Sequence, residues 1–502
     1  MKQTKTKKNA GGAKLRLLWL AGFASLLVGG TAPAVAAAPG PAAPEPPATP
    51  PPVAQGPAYP SPGHMIVPGT RLFVPPPDQG AIQQELSLLR SGQVAEARLI
   101  AEMEAVPKAV WLTGGTPQQV EQQVREVMFE AQVQRAEPVL VAYNIPGRDC
   151  SQYSAGGASS EAAYEAWIDA VAAGIGNHPA IVLLEPDSLG LLPSTCSGAK
   201  SPFPTYEPNP DTNPDTNPAD LQRFAELNYA VNALEADPNT VVYLDGTHSA
   251  WLSVGAIAQE LVDAGVERAQ GFFLNVSNYQ PTPELIDYGT WISDCIAFAH
   301  DSEQGGWRLG HYDYCASQYY PATQNNFVPW QQNFATWGLS SQWYQQNMGT
   351  AQPTTHFVID TSRNGQGPND MSLYASPPYN QPQSVIDTLV AGNWCNPPGA
   401  GLGIRPTTNT GVALLDAYLW VKIPGESDGS CDAAGGARAW DYQAYTQPGW
   451  PTTPSQQALF DPLWGLYDPP AGSWFPEQAL QLAENANPPL PSFPLIPAEG
   501  NH

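Results

Sequence analysis

The chain has 502 residues and a formal net charge of −25, and only 13% of its residues are charged. Nucleic acids and anionic membranes bind cationic protein surfaces, so this composition disfavours both as partners and favours a neutral one. The 55 prolines and 45 glycines indicate a fold rich in turns and loops.

Residues 1–36 have the pattern of a secretory signal peptide. A basic stretch precedes the apolar run from Leu17 to Gly30, which is too short to span a bilayer comfortably, and Ala34-Val35-Ala36 offers a cleavage site. An uncleaved N-terminal anchor is the alternative. Residues 37–66 are rich in Pro and Ala, which is typical of an extended linker. We therefore predict a secreted, extracellular protein with one large domain at 67–502.

Six cysteines in a secreted chain indicate disulfides. Fifteen pairings are possible for six cysteines. Sequence order favours Cys150–Cys196, Cys295–Cys315 and Cys395–Cys431. A zinc site is the weaker alternative, because the sequence has no CxxC pair and its seven histidines show no ligand spacing. We expect neither a metal nor another cofactor.

Short apolar runs alternate with amphipathic segments along the chain. The runs are Ala109–Leu112, Val139–Asn144, Ile181–Glu185, Val241–Asp245, Phe272–Val276, Phe357–Thr361 and Ala417–Val421. The segments with helical periodicity are Thr116–Arg135, Ser160–Ile175, Ala219–Leu234 and Ala250–Ala264. Apolar strands separated by helices are typical of a parallel sheet covered on both faces. We predict an α/β fold with a closed or nearly closed barrel, and a doubly wound open sheet is the alternative.

Polar side chains end several of these strands or follow in the next loop. They are Asp149, Asp187, Asp245, Asn275, Asp360 and Asp428. In an all-parallel barrel the carboxyl ends of the strands share one rim, where active sites form. We therefore expect these groups to meet, with Asn275 as a candidate for binding substrate. Paired carboxylates at one site are what hydrolysis of a sugar bond requires.

Asp187 is the candidate general acid. Such a group must be protonated near neutral pH, so burial or a neighbouring carboxylate must raise its pKa. The alternative is that Asp187 caps the following helix. Asp149 would supply the neighbouring charge or order a water molecule, and its alternative is a structural pair with Arg148.

The segment from Trp420 to Gly429 places Lys422, Glu426 and Asp428 just after an apolar strand. Lys422 and Glu426 would hold Asp428 ionised and oriented, or bind sugar hydroxyl groups. A solvated charged turn is the alternative for Glu426, but it explains the three residues together poorly.

Aromatic residues near the strand ends are a second indication of a sugar site. Trp111, Trp251 and Trp394 are candidates for stacking on the apolar faces of sugar rings, and Tyr143 could distort a bound ring. Core packing is the usual role of a single tryptophan. The chain has 15 of them, several at strand ends, which favours a stacking cleft.

These motifs resemble glycoside hydrolase family six, whose members are cellulases that cut β-1,4-glucan with inversion. The resemblance runs from about Ala109 to beyond Asp428. The matching motifs are Tyr143-Asn144-Ile145-Pro146-Gly147-Arg148-Asp149-Cys150, Glu185-Pro186-Asp187-Ser188-Leu189, Leu244-Asp245-Gly246-Thr247-His248, Leu274-Asn275-Val276-Ser277-Asn278-Tyr279 and Trp420 through Gly429.

The resemblance implies a distorted seven-stranded parallel β/α barrel, a TIM-barrel variant with long rim loops, and disulfides matching Cys150–Cys196 and Cys395–Cys431. It implies that 67–502 is a catalytic domain in which Asp187 is the general acid. Asp149 would raise the pKa of that acid, and Asp428 takes the position of the proposed general base.

The resemblance also implies a set of substrate contacts. Tyr143 would distort the ring at the cleavage point, and the binding residues would be Asp245, His248, Lys422, Glu426, Trp111, Trp251 and Trp394. Two positions depart from the family pattern. A serine that helps to hold water is replaced by Ala155, with Ser154 one position earlier, and an additional stacking tryptophan is replaced by Val254.

Four long loops are predicted, at 202–218, 300–350, 364–405 and 435–502. The aromatic-rich second loop, the Cys295/Cys315 pair and the segment from Trp394 to Gly399 resemble processive bacterial members of the family, whose loops cover the cleft. We therefore expect a monomeric exocellulase that binds β-1,4-glucan chains and releases cellobiose from the non-reducing end. An endoglucanase is the first alternative, and a non-catalytic glucan-binding protein is the second.

Overall fold

The computed structural model describes residues 65–196, 217–303, 306–319, 337–377, 379–431, 452–457 and 459–491. The predicted signal peptide, nearly all of the predicted linker and parts of the loops predicted at 202–218, 300–350 and 435–502 lie outside the described residues. None of the helices within the described ranges combines the length and hydrophobicity that crossing a bilayer requires.

The central element is one seven-stranded sheet with its strands in sequence order. The strands are β1 (Val110–Leu112), β2 (Val139–Ala142), β3 (Ala180–Leu184), β4 (Thr240–Asp245), β5 (Gly271–Leu274), β6 (His356–Asp360) and β7 (Leu415–Leu419). Every neighbouring pair is parallel. The sheet curls into a half-barrel, which confirms the predicted distorted barrel. The strand order never reverses, so the doubly wound alternative is wrong.

The edges of the curled sheet approach each other at one end. The backbone amide of Ala109 donates to the carbonyl of Trp420 at 3.0 Å, which joins the chain just before β1 to the chain just after β7. The indole Nε1 of Trp111 donates to the carbonyl of Val421 at 2.8 Å. These bonds bring the segment that follows β7 over the mouth of the half-barrel.

Helices connect and cover the strands. They are α1 (Gln79–Arg90), α2 (Val94–Glu104), α3 (Pro117–Gln134), α4 (Glu161–Ile175), α5 (Pro218–Leu234), α6 (Val254–Asp263), α7 (Thr282–His300), α8 (Trp337–Asn347), α9 (Gln383–Ala391), α10 (Pro454–Gln457) and α11 (Pro476–Glu484). The predicted helices correspond to α3, α4, α5 and α6. Thr116 caps α3 in a capping box with Gln119, and Ser160 caps α4.

The prediction that 300–350, 364–405 and 435–502 are loops throughout is wrong. The first contains α8, the second contains α9, and the third contains α10 and α11. α8 mixes aromatic, glutamine and serine residues without a regular apolar stripe, so its sequence lacks the usual helical periodicity. α7 was not predicted either. Ten of its residues are buried, so its apolar positions do not form one stripe.

Alternate residues of each strand belong to two different cores. In β3, Ile181 and Leu183 pack with other strand residues inside the half-barrel. Val182 and Leu184 pack with the helices outside it. Both faces of the sheet are therefore buried, which explains the continuous apolar runs in the sequence. The next inward-facing position of this strand is Glu185, at the mouth of the half-barrel.

Three disulfides join Cys150 to Cys196, Cys295 to Cys315 and Cys395 to Cys431. These are the pairs that sequence order favoured. The first links the loop after β2 to the loop after β3, and the third links the loop after α9 to the segment after β7. Two of the three bonds therefore constrain loops at the carboxyl ends of the strands.

Gly271 is the position where the sheet tolerates a side chain least. It pairs with His356, and a Cβ atom at this position would collide with the backbone carbonyl of that residue. We predict that Gly271→Ala lowers the free energy of unfolding by about 1–3 kcal/mol, because a strand backbone cannot move aside alone. Urea denaturation measures this difference.

Gly338 is the matched control. It lies near the start of α8, where an added Cβ meets nothing within 4 Å. Gly338→Ala should leave stability unchanged or raise it by about 0.4–1 kcal/mol, because alanine restricts the unfolded chain. Equal denaturation midpoints for the two variants would contradict the register between β5 and β6.

Candidate active site

A cavity of about 430 Å³ opens at the carboxyl ends of the strands. Ten of the predicted site residues line it: Tyr143, Asp149, Asp187, Asp428, Trp111, His248, Trp251, Trp394, Lys422 and Glu426. They come from β1, from the loops that follow β2, β3, β4 and β7, and from the loop that follows α9. The structure therefore brings residues that are far apart in sequence to one site.

Asp187 lies where negative charges concentrate. Withdrawal from solvent raises the pKa of its carboxyl well above the ordinary value, and the nearby charges of Asp245, Asp149 and Asp428 raise it further. A hydrogen bond from Tyr143 acts in the opposite direction. The carboxyl is therefore protonated when an exposed aspartate would be ionised, which is the state that a general acid needs.

Asp149 begins a tight turn in the loop after β2. Burial raises the pKa of its carboxyl to about 6, although the backbone amide of Ser154 donates to its Oδ2 atom at 2.6 Å and favours the ionised form. At neutral pH Asp149 is thus mainly ionised, while the pKa of the Asp187 carboxyl is raised well above its ordinary value. Two neighbouring carboxyls whose pKa values differ in this way can divide into a charged group and a proton donor.

Asp428 has the opposite environment. The Arg363 guanidinium donates to its Oδ2 atom at 2.8 Å, and the Lys422 ammonium lies 3.5 Å from its Oδ1 atom. The backbone amide of Asn396 also donates to Oδ2, at 2.9 Å. Burial alone would raise the pKa of Asp428, but these cations and the amide hold it below the ordinary value. Asp428 is therefore a fixed negative charge on the cavity wall.

Sequence reasoning missed Arg363. Its side chain is fully buried, and its guanidinium lies 4.5 Å from the centre of the Tyr279 ring. It follows β6, whose end at Asp360 was recognised as polar. The position of Arg363, three residues after Asp360, was the only local indication of its role. Its partner Asp428 lies 65 positions further along the chain.

Asp245 and Asn275 do not line the cavity, unlike the other predicted site residues. The Asp245 carboxylate accepts the backbone amide of Thr247 at 2.9 Å and those of Asp187, Leu189 and Gly190. The Asn275 side chain donates to the carbonyl of Asp360 at 2.9 Å and accepts the amide of Gln280 at 3.0 Å. Their position at the rim is as predicted, but both side chains bond to the backbone of the rim loops.

Asp360 and Glu185 act in the same way. Asp360 is buried and accepts the backbone amides of Ser277, Ser362, Val421 and Lys422 at 2.9–3.2 Å. Glu185 is also buried and accepts those of Asn144 and Ile145 at 2.8–3.0 Å. These two carboxylates and Asp245, which we call the loop-anchoring carboxylates, fix the loops that carry the cavity residues.

The aromatic walls are held by specific contacts. The rings of Trp111 and Tyr143 meet edge to face, with centroids 5.4 Å apart. Trp394 lies against Tyr153, at 5.9 Å between centroids. Tyr153 also lines the cavity, and sequence reasoning did not single it out. Rigid, partly exposed aromatic faces are suited to stacking on sugar rings.

His248 and Glu426 contribute polar groups to the cavity. The His248 Nδ1 atom accepts the backbone amide of Ala250 at 3.2 Å, so the ring proton resides on Nε2. Burial lowers the pKa of this histidine to about 3, and the ring is therefore neutral. Burial raises the pKa of Glu426 to about 7, although Lys422 opposes that shift. Both side chains can hydrogen-bond to sugar hydroxyl groups without adding a full charge.

The sequence matches the family described as Glycosyl hydrolases family 6 over residues 67–486. Among curated relatives, Endoglucanase 1 of Streptomyces sp. (strain KSM-9) is 33% identical over 68% of this chain and 69% of its own length. Endoglucanase A of Cellulomonas fimi is 31% identical, and the alignment covers 74% of this chain but only 59% of the relative.

A solved structure supports the same assignment. The endoglucanase from Mycobacterium tuberculosis, determined in complex with methyl-cellobiosyl-4-deoxy-4-thio-β-D-cellobioside, is 30% identical with a TM-score of 0.52. The comparison covers 83% of this chain and 97% of that one. The probable 1,4-β-D-glucan cellobiohydrolase C of Aspergillus terreus is 29% identical over 70% of this chain and 59% of its own length. The chain therefore belongs to glycosyl hydrolases family 6.

Proposed function

We propose that this chain hydrolyses β-1,4-glucosidic bonds of cellulose and cello-oligosaccharides with inversion at the anomeric carbon. The observation that carries the proposal is that Asp187 and Asp428 line one cavity, with the cations Arg363 and Lys422 beside Asp428 and carboxyl groups beside Asp187. The pKa of Asp187 is raised and that of Asp428 is lowered. Glycoside hydrolysis by inversion requires one carboxyl that gives a proton and one carboxylate that serves the attacking water.

In the proposed reaction Asp187 protonates the glycosidic oxygen as its bond to the anomeric carbon breaks. The electron pair of that bond stays with the leaving oxygen. Asp149 remains ionised beside the acid, which keeps the pKa of Asp187 high and stabilises positive charge that develops on the sugar ring. Tyr143, whose hydroxyl bonds to Asp187, presses on the ring at the cleavage point.

A water molecule attacks the anomeric carbon from the face opposite Asp187, and its proton passes to Asp428 directly or through a second water. The low pKa of Asp428 makes it a weak base towards free water. Water bonding to a carbon with oxocarbenium character is far more acidic, so an ionised and firmly held acceptor suffices. Arg363 keeps the acceptor ionised and oriented.

Sugar binding is proposed for the other lining residues. Trp111, Trp251 and Trp394 stack on pyranose faces, and His248, Lys422 and Glu426 bind hydroxyl groups. We reassign Asp245 and Asn275 to holding the loops, because backbone groups bind the Oδ1 atom of Asp245 and both polar side-chain atoms of Asn275.

For the mode of action we favour cleavage inside glucan chains. The relatives from Streptomyces sp. (strain KSM-9) and Cellulomonas fimi, at 33% and 31% identity, are named endoglucanases, and so is the 30%-identical solved structure. Release of cellobiose from the non-reducing end is the second candidate. The Aspergillus terreus relative named a cellobiohydrolase and the placement of Trp394 on the cavity wall support it.

Processing and location are also proposals. The three disulfides support folding in an oxidising compartment, as expected for a secreted protein. We propose a signal peptide at 1–36, a linker at 37–66 and a catalytic domain at 67–502. The monomeric state stays a prediction.

The stereochemistry of the product tests the proposed reaction. We expect fresh hydrolysate of cellohexaose to contain α-anomer first, because water attacks from the face opposite the leaving group. Proton NMR during the first minutes of reaction measures the ratio of anomers. Asp187→Asn should lower kcat by roughly 10²–10⁴-fold on the same substrate. Initial β-anomer, or full activity of this variant, would refute the mechanism.

Viscosity separates the two modes of action. Internal cleavage should reduce the viscosity of carboxymethylcellulose after few bonds are broken, whereas cellobiose release should leave it nearly unchanged for the same number of new reducing ends. Both quantities are measured on aliquots of one reaction, with Asp187→Asn as the inactive control. Soluble cellobiose without a fall in viscosity would favour the second candidate over the first.

The raised pKa of Asp187 also predicts an effect on stability. The folded state binds the proton of Asp187 more tightly than the unfolded state does, so stability falls as pH rises above the unfolded pKa of about 3.9. Asn does not titrate. Asp187→Asn should therefore be more stable than the wild type at pH 7 and should lose that advantage near pH 3.5. Urea denaturation at the two pH values checks the sign, and a constant difference would contradict it.

A further inference from the structure

We propose that Arg223, on α5, is a positioning residue that sets the geometry between the proposed acid Asp187 and the neighbouring Asp149. The inference rests on the proposed function, because it concerns the proton donor of that reaction. Arg223 is buried and does not line the cavity. It therefore acts on the chemistry through other residues.

The guanidinium of Arg223 bridges the two loops that carry these aspartates. Its Nη1 atom donates to the carbonyl of Ser188 at 3.0 Å, and Ser188 directly follows Asp187. Its Nη2 atom donates to the carbonyl of Pro146 at 2.9 Å, three residues before Asp149. A rigid, planar guanidinium that holds one carbonyl from each loop fixes the distance between the loops.

Glu185 supplies a second link between the same loops. It lies two residues before Asp187, and its carboxylate accepts the backbone amides of Asn144 and Ile145 in the loop of Asp149. Glu185 also attracts Arg223 electrostatically. Arg223 thus joins the two loops by binding a carbonyl of each, and Glu185 joins them by binding amides of the Asp149 loop.

Further contacts fix α5 itself. Asp220, one turn before Arg223, accepts the backbone amide of Ser194 at 2.8 Å, in the loop that continues to Cys196. Glu226, one turn after, lies 3.9 Å from the Nε atom of Arg223. The charged and titratable groups that face Arg223 are Glu226, Glu185, Tyr164 and Asp220. α5 also packs against α4, so the backbone that carries Arg223 is held in place.

This geometry matters because the proton affinity of Asp187 depends on its neighbours. The groups that face Asp187 are Asp245, Asp149, Tyr143 and Asp428. Asp245 binds the Asp187 loop directly, so its distance from the acid is fixed. Asp149 belongs to a different loop, and its Coulomb effect weakens if that loop moves away. Arg223, together with the Cys150–Cys196 disulfide, keeps the loop of Asp149 close to the loop of Asp187.

Arg223→Lys is the decisive variant. Lysine keeps the positive charge that faces Glu185 and Glu226, but its single nitrogen cannot bridge two carbonyls in the same way. The variant should lower kcat on cellohexaose by about 10–100-fold with less than a threefold change in KM, as expected for a displaced catalytic group. The alkaline limb of its plot of kcat against pH should shift to lower pH by about 0.5 unit or more. This is a fraction of the pKa shift that one neighbouring charge produces.

Arg308→Lys is the matched control. Arg308 is another buried arginine, and it donates to the carboxylate of Asp301 and to the backbone carbonyl of Met348. None of these three residues lines the cavity. The Arg308 variant should lose thermal stability without moving the alkaline limb. Circular dichroism confirms that each variant is folded at the assay temperature.

A second measurement separates positioning from folding. Asp149→Asn should shift the alkaline limb in the wild-type background more than in the Arg223→Lys background, because the two changes remove the same coupling. Equal shifts, an unmoved limb in folded Arg223→Lys, or failure of that variant to fold would each overturn the inference. Absence of glucan hydrolysis by the wild type would instead refute the proposed function.

Discussion

The site depends on buried carboxylates that accept backbone amides at the mouth of the half-barrel. Glu185, Asp245 and Asp360 continue the inward-facing alternation of β3, β4 and β6, where an apolar side chain would leave the amides of the rim loops without partners. Glu185 binds the loop after β2, and Asp245 binds the loops after β3 and β4. Asp360 binds the loops after β5, β6 and β7. The three carboxylates therefore fix the loops that carry Tyr143, Asp187, His248 and Lys422 at the mouth of the half-barrel.

The same network creates the electrostatics of the site. Crowding several acids into a small buried volume disfavours ionisation of the one with the fewest compensating donors, and that one is Asp187. Asp428 stays ionised because the cations Arg363 and Lys422 compensate its charge. The proposed proton donor and the fixed anion thus differ because chemically identical side chains have unequal surroundings.

The strands and most of the cavity residues could be predicted from the sequence because they depend on local patterns. Continuous apolar runs predicted the ends of β3 and β4 to within one residue. An aspartate at the end of such a run must lie at the mouth of the half-barrel. What a rim side chain contacts depends on loops distant in sequence. The pairing of Arg363 with Asp428, and the engagement of Asp245 by the loop after β3, have no local signature.

The backbone at the rim adopts left-handed dihedral angles at several non-glycine positions. Asp149, Cys150, Glu185 and Asp187 all have φ between 45° and 67°. Each such residue costs roughly 1 kcal/mol relative to ordinary backbone, and the cost is borne by the well-packed cores beneath. Searches for heat-tolerant variants should therefore spare the mouth of the half-barrel and concentrate on the outer helices, where added stability would leave the strained catalytic geometry untouched.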